Sequence, residues 1–196
     1  MQKDSWGHAL TTDSQEAALA FEQAVESYIA WRTDVMDHIK AANDADPGFA
    51  LPFAVKGILM LGLRKPELRA PAQQMLEAAH AARAPESERE RRYISALAAA
   101  IDGRITEAAA HFEAIARAHP HDLLALRLAQ SELFWIGETS WMRDISERAA
   151  PAWSNGDKGL GAFLSTRAFD LEEAGDYAQA ERCGRQAVEL DPADPW

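Results

Sequence analysis

The densest gathering of side chains that could bind a metal or move a proton in this 196-residue chain is His111, Glu113, His119, His121 and Asp122. Imidazole nitrogens and carboxylate oxygens are zinc ligands, but a zinc site needs them to converge tetrahedrally on one point. His111 and His119 stand more than two turns apart on one helical stretch, and His119-Pro120-His121 flanks a helix break. The expectation is an inter-repeat loop with exposed imidazoles, with no metal and no cofactor. The segment GDKGLG, Gly156 to Gly161, offers glycines ahead of a helix, where backbone N–H groups can meet an anion. It lacks both the GxxxxGK[ST] order and a preceding strand, so it reads as a flexible connection.

Cys183 has no basic partner in a dyad pattern and falls on the last helical stretch, where a small apolar residue is expected. The tryptophans at 6, 31, 135, 141, 153 and 196 are candidates for ligand platforms, but aromatic burial dominates core energetics, so most are expected to wedge between helices. Glu88 and Arg92 are spaced i,i+4 in a run of mixed charge, which reads as a salt-laced helix surface. None of these sets makes a catalytic signature, and the chain reads as a non-enzyme.

Composition narrows the partners. Lys+Arg 20 against Asp+Glu 31 gives a net charge of −11, a field that repels phosphate backbones and anionic headgroups, so nucleic acid and membrane surfaces are unexpected. No apolar run approaches the ~20 residues of a membrane helix. The first residues show no positively charged leader ahead of an apolar run, so a secretory signal is not expected, and one cysteine excludes an intrachain disulfide. A cytoplasmic protein is expected.

The elements that must position these residues follow from an internal repeat. Ala96 aligns with Ala168, Gly103 with Gly175, Ala108 with Ala180 and Pro120 with Pro192, each pair 72 positions apart, about two units of 34 residues with a short insertion. Gly137 follows Gly103 by 34 positions, so the turn recurs in the middle unit. Prolines at 47, 85, 120, 151 and 192 punctuate the chain at 38, 35, 31 and 41 residues, and Gly57 takes the small-residue position of an earlier unit.

Ala, Leu, Glu, Arg and Gln dominate, and Ala109, Phe112, Ile115 and Ala116 form one helical stripe, so strands are not expected. The pattern predicts helices at 14–30, 34–45, 49–63, 67–83, 86–102, 105–118, 121–137, 141–149, 160–174 and 177–190. Gly103, Gly137 and Gly175 fall between them, where a left-handed helix end favours glycine. Ala96, Ala108, Ala168 and Ala180 would let neighbouring helices approach, so a bulky side chain at Ala180 should cost about 1–3 kcal/mol by overpacking.

This order of small residue, long apolar residue, Gly, Ala, aromatic, Ala and Pro resembles the tetratricopeptide repeat. In the last unit the positions are Ala168, Leu171, Gly175, Ala180, Gly184, Ala187 and Pro192. Gly184 stands where Phe112 supplies the aromatic of the earlier unit, which implies a looser repeat. WGHALTTDSQEAALAFEQAV, AANDADPGFALPFAVKGILML, HPHDLLALRLAQSELFWIG and AVELDPADPW are more narrowly similar to the tetratricopeptide-repeat protein 38 family. The resemblance implies an all-α fold, a right-handed superhelix of antiparallel helix pairs with about five pairs in one domain over 1–196.

Members of that family continue past the equivalent of Trp196, so the resemblance also implies the N-terminal part of a longer architecture. It carries no settled activity. Two functions follow as expectations: a protein- or peptide-binding scaffold, or the leading part of an enzyme or metal-binding protein whose functional residues lie beyond Trp196. Self-association through exposed solenoid ends near Trp196 is a further expectation.

In the fold the chain resembles, the first helix of each pair lines a concave groove. That register assigns the groove to Tyr93 and Leu97, to Arg127, Ser131 and Phe134, and to Ser165, Thr166, Phe169 and Glu172. Chaperone-binding relatives hold a terminal carboxylate there with Lys and Asn. Tyr93, Leu97, Ser165 and Phe169 cannot do so, although Arg127 could pair with one acidic group.

Overall fold

In the computed structural model, which describes residues 1–193, ten α-helices carry the chain, and each lies within two residues of the span its periodicity predicts at either end. No helix among the described residues is long and apolar enough to cross a membrane. The chain divides into two compact units, Met1–Tyr28 with Arg32–His111, and Ile29–Trp31 with Phe112–Trp196.

The first unit holds α1 (Gln15–Ile29, to Tyr28), α2 (Val35–Ala45), α3 (Ala50–Gly62), α4 (Arg69–Ala81), α5 (Glu88–Ile101) and the start of α6 (Ile105–Ala118). The apolar helix α3 packs against α2, α4 and α5. Phe21 and Phe49 meet edge to face at 5.6 Å, and Ile39, Leu51, Tyr93 and Leu97 are fully buried. Helix α5 starts where Ser87 Oγ accepts the Glu90 N–H, an N-cap that satisfies one free donor of the first turn.

One short antiparallel hairpin departs from the all-helical expectation: β1 (Gln2–Lys3) pairs with β2 (Ala9–Leu10). Its cause is turn chemistry rather than strand propensity. Asp4 Oδ1 accepts the N–H groups of Trp6 and His8 at 3.0 and 2.8 Å, and Gly7 takes a left-handed φ of +84°. The segment is tied down by Glu90, which accepts from the backbone N–H and hydroxyl of Thr11, and by Asp46, which accepts from Thr12 Oγ1 at 2.6 Å.

The second unit holds the rest of α6 from Phe112, then α7 (Leu123–Ile136), α8 (Thr139–Ala149), α9 (Leu160–Glu173) and α10 (Tyr177–Leu190). Helix α9 is its centre, packing against α7, α8 and α10. Asp122 and Asp176 cap α7 and α10 through their side chains. Gly137 and Gly175, at φ +76° and +86°, close α7 and α9 in the left-handed conformation expected of them.

Candidate binding surface

The histidine loop is structural packing. Trp153 stacks on Phe163 with centroids 4.7 Å apart, donates Nε1–H to the Pro120 carbonyl at 3.0 Å, and takes the His121 ring on its edge at 4.6 Å. His121 Nε2 lies 3.1 Å from the Ala152 carbonyl and 3.5 Å from Asp157. Glu113 is occupied by Trp141 Nε1 at 2.8 Å and by Arg117 and Arg148. Burial holds the His111 imidazole below its ordinary value, with Arg92 acting in the same direction. Among the described residues no group of three or more His, Cys, Asp or Glu could hold a metal ion.

Cys183 is buried on α10, and burial pushes its thiol up, which disfavours the reactive thiolate. The tryptophans divide. Trp153 is buried and Trp141 and Trp6 are half-buried, as wedging requires, whereas Trp31 and Trp135 are exposed. Trp196 lies outside the described residues.

The residues assigned to the groove separate by burial. Tyr93 and Leu97 lie inside, where the Arg89 guanidinium sits 5.4 Å from the Tyr93 ring and Leu97 presses on Gly57, so neither offers surface to a ligand. Arg127 and Thr166 are also interior. Arg127 Nη2 donates to Ser165 Oγ at 3.1 Å and to the Ala162 carbonyl at 3.3 Å, and Thr166 Oγ1 donates to that same carbonyl at 2.7 Å. An arginine committed to such bonds is not poised to pair with an incoming acidic group. Beside it, Gln130 Nε2 donates to Asp170 Oδ1 at 2.8 Å and to the Thr166 carbonyl at 2.9 Å. Burial pushes the Asp170 carboxyl up to about 7, against the opposing pull of Gln130, Ser146 and Arg127.

Ser165 is buried too, and the remaining groove residues lie nearer the surface. Ser131 is half-buried, Phe134 is exposed, and the Phe134 and Phe169 rings meet at 5.3 Å with Trp135 a further 6.1 Å from Phe134. Phe169, Glu172 and the edge of Ser165 line an open cleft of about 430 Å³ between α9 and α10. Ala168, Tyr177, Ala180, Glu181, Gly184, Ala187 and Val188 form the rest of it. Tyr177 and Val188 are 69% and 62% exposed, values that leave apolar surface uncovered by any described residue.

The sequence register missed Tyr177, Gly184 and Val188 because it assigned the groove to first helices alone. The signal was nevertheless present at Gly184. Where Phe112 is buried on α6, Gly184 on α10 contributes no side chain, and a Cβ built there would meet only Ala168 Cβ at 3.9 Å. Ala168 and Ala180 consequently line open space, unlike the fully buried Ala96 and Ala108. A larger side chain at Ala180 would enter the cleft, so the overpacking cost expected there is much reduced.

No protein-family model matches this sequence, and no solved structure matches the chain.

Proposed function

We propose that the chain is a non-enzymatic helical repeat scaffold of the tetratricopeptide type, a right-handed superhelix of helix pairs that binds a protein or peptide partner. The resemblance to the tetratricopeptide-repeat protein 38 family and the recurring left-handed glycines support the architecture. The observation that carries the binding role is the α9–α10 cleft, continuous through Phe169 with the Phe134 and Trp135 rings. Aromatic anchors beside a concave apolar surface are what concentrates binding energy in protein interfaces. The occupant is an amphipathic helix. Along α10 the lining runs from Tyr177 to Val188, about 16 Å at 1.5 Å per residue, room for three helical turns. Alanine and glycine at its floor let a third helix approach closely. The reading includes a cytoplasmic location, supported by a single cysteine, and excludes nucleic acid on the strength of the −11 charge.

The test fills the cleft. Proteins captured from an extract by the tagged chain are identified, purified and titrated against wild type and Gly184→Leu, which places a side chain in open space on a helix that favours it. A purified partner that binds wild type and loses at least tenfold in affinity to the filled variant, at unchanged helicity, supports the reading. Equal affinity for both proteins would reject the cleft as the site.

A further inference from the structure

The cleft is acidic as well as apolar, and the charges choose among its occupants. Among the described residues the charged ones lining it are Glu172 and Glu181, both carboxylates, with no cation beside them. Glu181 is engaged by Arg185 Nη2 at 2.7 Å. Glu172 is exposed, with no hydrogen-bond or ion-pair partner among the described residues. It stands one turn beyond Phe169 on α9, and Tyr177 lines the same cleft from α10. A carboxylate that lines one cleft with two aromatic rings suits a cationic side chain, which gains both an ion pair and contact with the ring faces.

Resting on the cleft reading above, we propose that the α9–α10 cleft selects a basic amphipathic helix, seating a lysine or arginine on Glu172 between Phe169 and Tyr177. A second copy of this chain is a poor occupant. It would bring Glu172 and Glu181 with exposed Glu173, Glu189 and Asp191 toward Glu172, five carboxylates against the two exposed cations of α10, Arg182 and Arg185. A chain of net charge −11 steers cationic helices toward itself and its own copies away.

The experiment uses two fluorescein-labelled 16-residue helical peptides with the same Leu/Ala face, one with lysines and the other with glutamates on its flanks. Fluorescence anisotropy follows their binding to the full chain, to Glu172→Gln and to Gly184→Leu. The expected result is at least tenfold tighter binding of the lysine peptide, a preference that Glu172→Gln reduces to threefold or less. Raising salt from 50 to 300 mM should weaken the lysine peptide selectively, and Gly184→Leu should weaken both.

Equal binding of the two peptides, or a preference that survives Glu172→Gln, would overturn the selection of a cation while leaving a helix-binding cleft. Failure of both peptides to bind would overturn the cleft reading and this inference together. Sedimentation velocity supplies the remaining outcome: a dimer dispersed by Gly184→Leu would assign the cleft to a second copy and overturn the basic partner.

Discussion

Gly57 on α3 and Leu97 on α5 approach so closely that a Cβ on Gly57 would lie 2.7 Å from Leu97 Cδ2 and 2.9 Å from its Cδ1. Leu97 is fully buried and cannot swing away, and Met75 Cβ stands at 3.2 Å from the same point. Two effects oppose each other in Gly57→Ala. Helix propensity favours alanine by about 1 kcal/mol, whereas forcing a methyl into a closed contact costs about 1–3 kcal/mol. With a Cβ at 2.7 Å the contact wins, and the variant should lose up to about 2 kcal/mol in urea unfolding. Leu97→Val in the same background should return part of that loss, since the two sites share one contact. Purely additive effects would show that the approach is not what holds α3 to α5.

The Asp170 carboxyl should make the protein less stable as pH rises. Its folded-state value is raised to about 7 while an unfolded aspartate titrates near 3.9. Between these the folded chain binds more protons than the unfolded one, so the contribution present at low pH is lost as pH rises through 7. The slope from one group is at most about 1.4 kcal/mol per pH unit. Asp170→Asn keeps an acceptor for Gln130 and carries no charge, so its stability should exceed wild type at pH 8 and the gap should narrow steadily as pH falls from 7 toward about 4. Parallel curves for the two proteins across that range, in urea unfolding followed by circular dichroism, would reject the assignment.

Glu90 should hold the N-terminal hairpin. Its buried carboxylate accepts from Thr11 N at 2.9 Å, from the Thr11 hydroxyl, and from Ser87 Oγ at 2.9 Å. Glu90→Ala leaves those donors without an acceptor, at about 1–3 kcal/mol for each group that stays buried. Glu90→Gln keeps one acceptor oxygen and should cost less. Hydrogen exchange is the measurement: the amides of Gln2 and Thr12, which donate to the Thr12 and Leu10 carbonyls, should exchange at least tenfold faster in the alanine variant. Global loss of protection at the same denaturant distance from the midpoint would mean that Glu90 supports the whole unit instead.

The helices were legible because their punctuation is local. Gly103, Gly137 and Gly175 each need a left-handed φ, and only the chain's own turn decides that. Glu88 and Arg92 form their i,i+4 pair at 3.0 Å for the same reason. Which face of a helix meets solvent is a tertiary matter. Periodicity finds an apolar stripe but does not say whether Tyr93 or Phe134 lies under a neighbour, and in the structure the first is buried and the second exposed. Asp4 shows the opposite failure, a local turn signal hidden by a composition that favours helix everywhere else.

Gly184 is the position at which stability and binding should move in opposite directions. Glycine in a helix interior costs about 0.5–1 kcal/mol relative to alanine, and here an added Cβ meets only Ala168 Cβ at 3.9 Å, an ordinary contact. Gly184→Ala should therefore raise stability by about that amount. Gly184→Phe supplies the aromatic that Phe112 provides at the corresponding position of the sequence, and should cover Ala168 and part of the exposed Val188. It should raise the melting temperature further while abolishing helix binding in the cleft. If the phenylalanine variant melts lower than wild type, the cleft is not open space left by a missing side chain, because its walls cannot then accept the ring without strain.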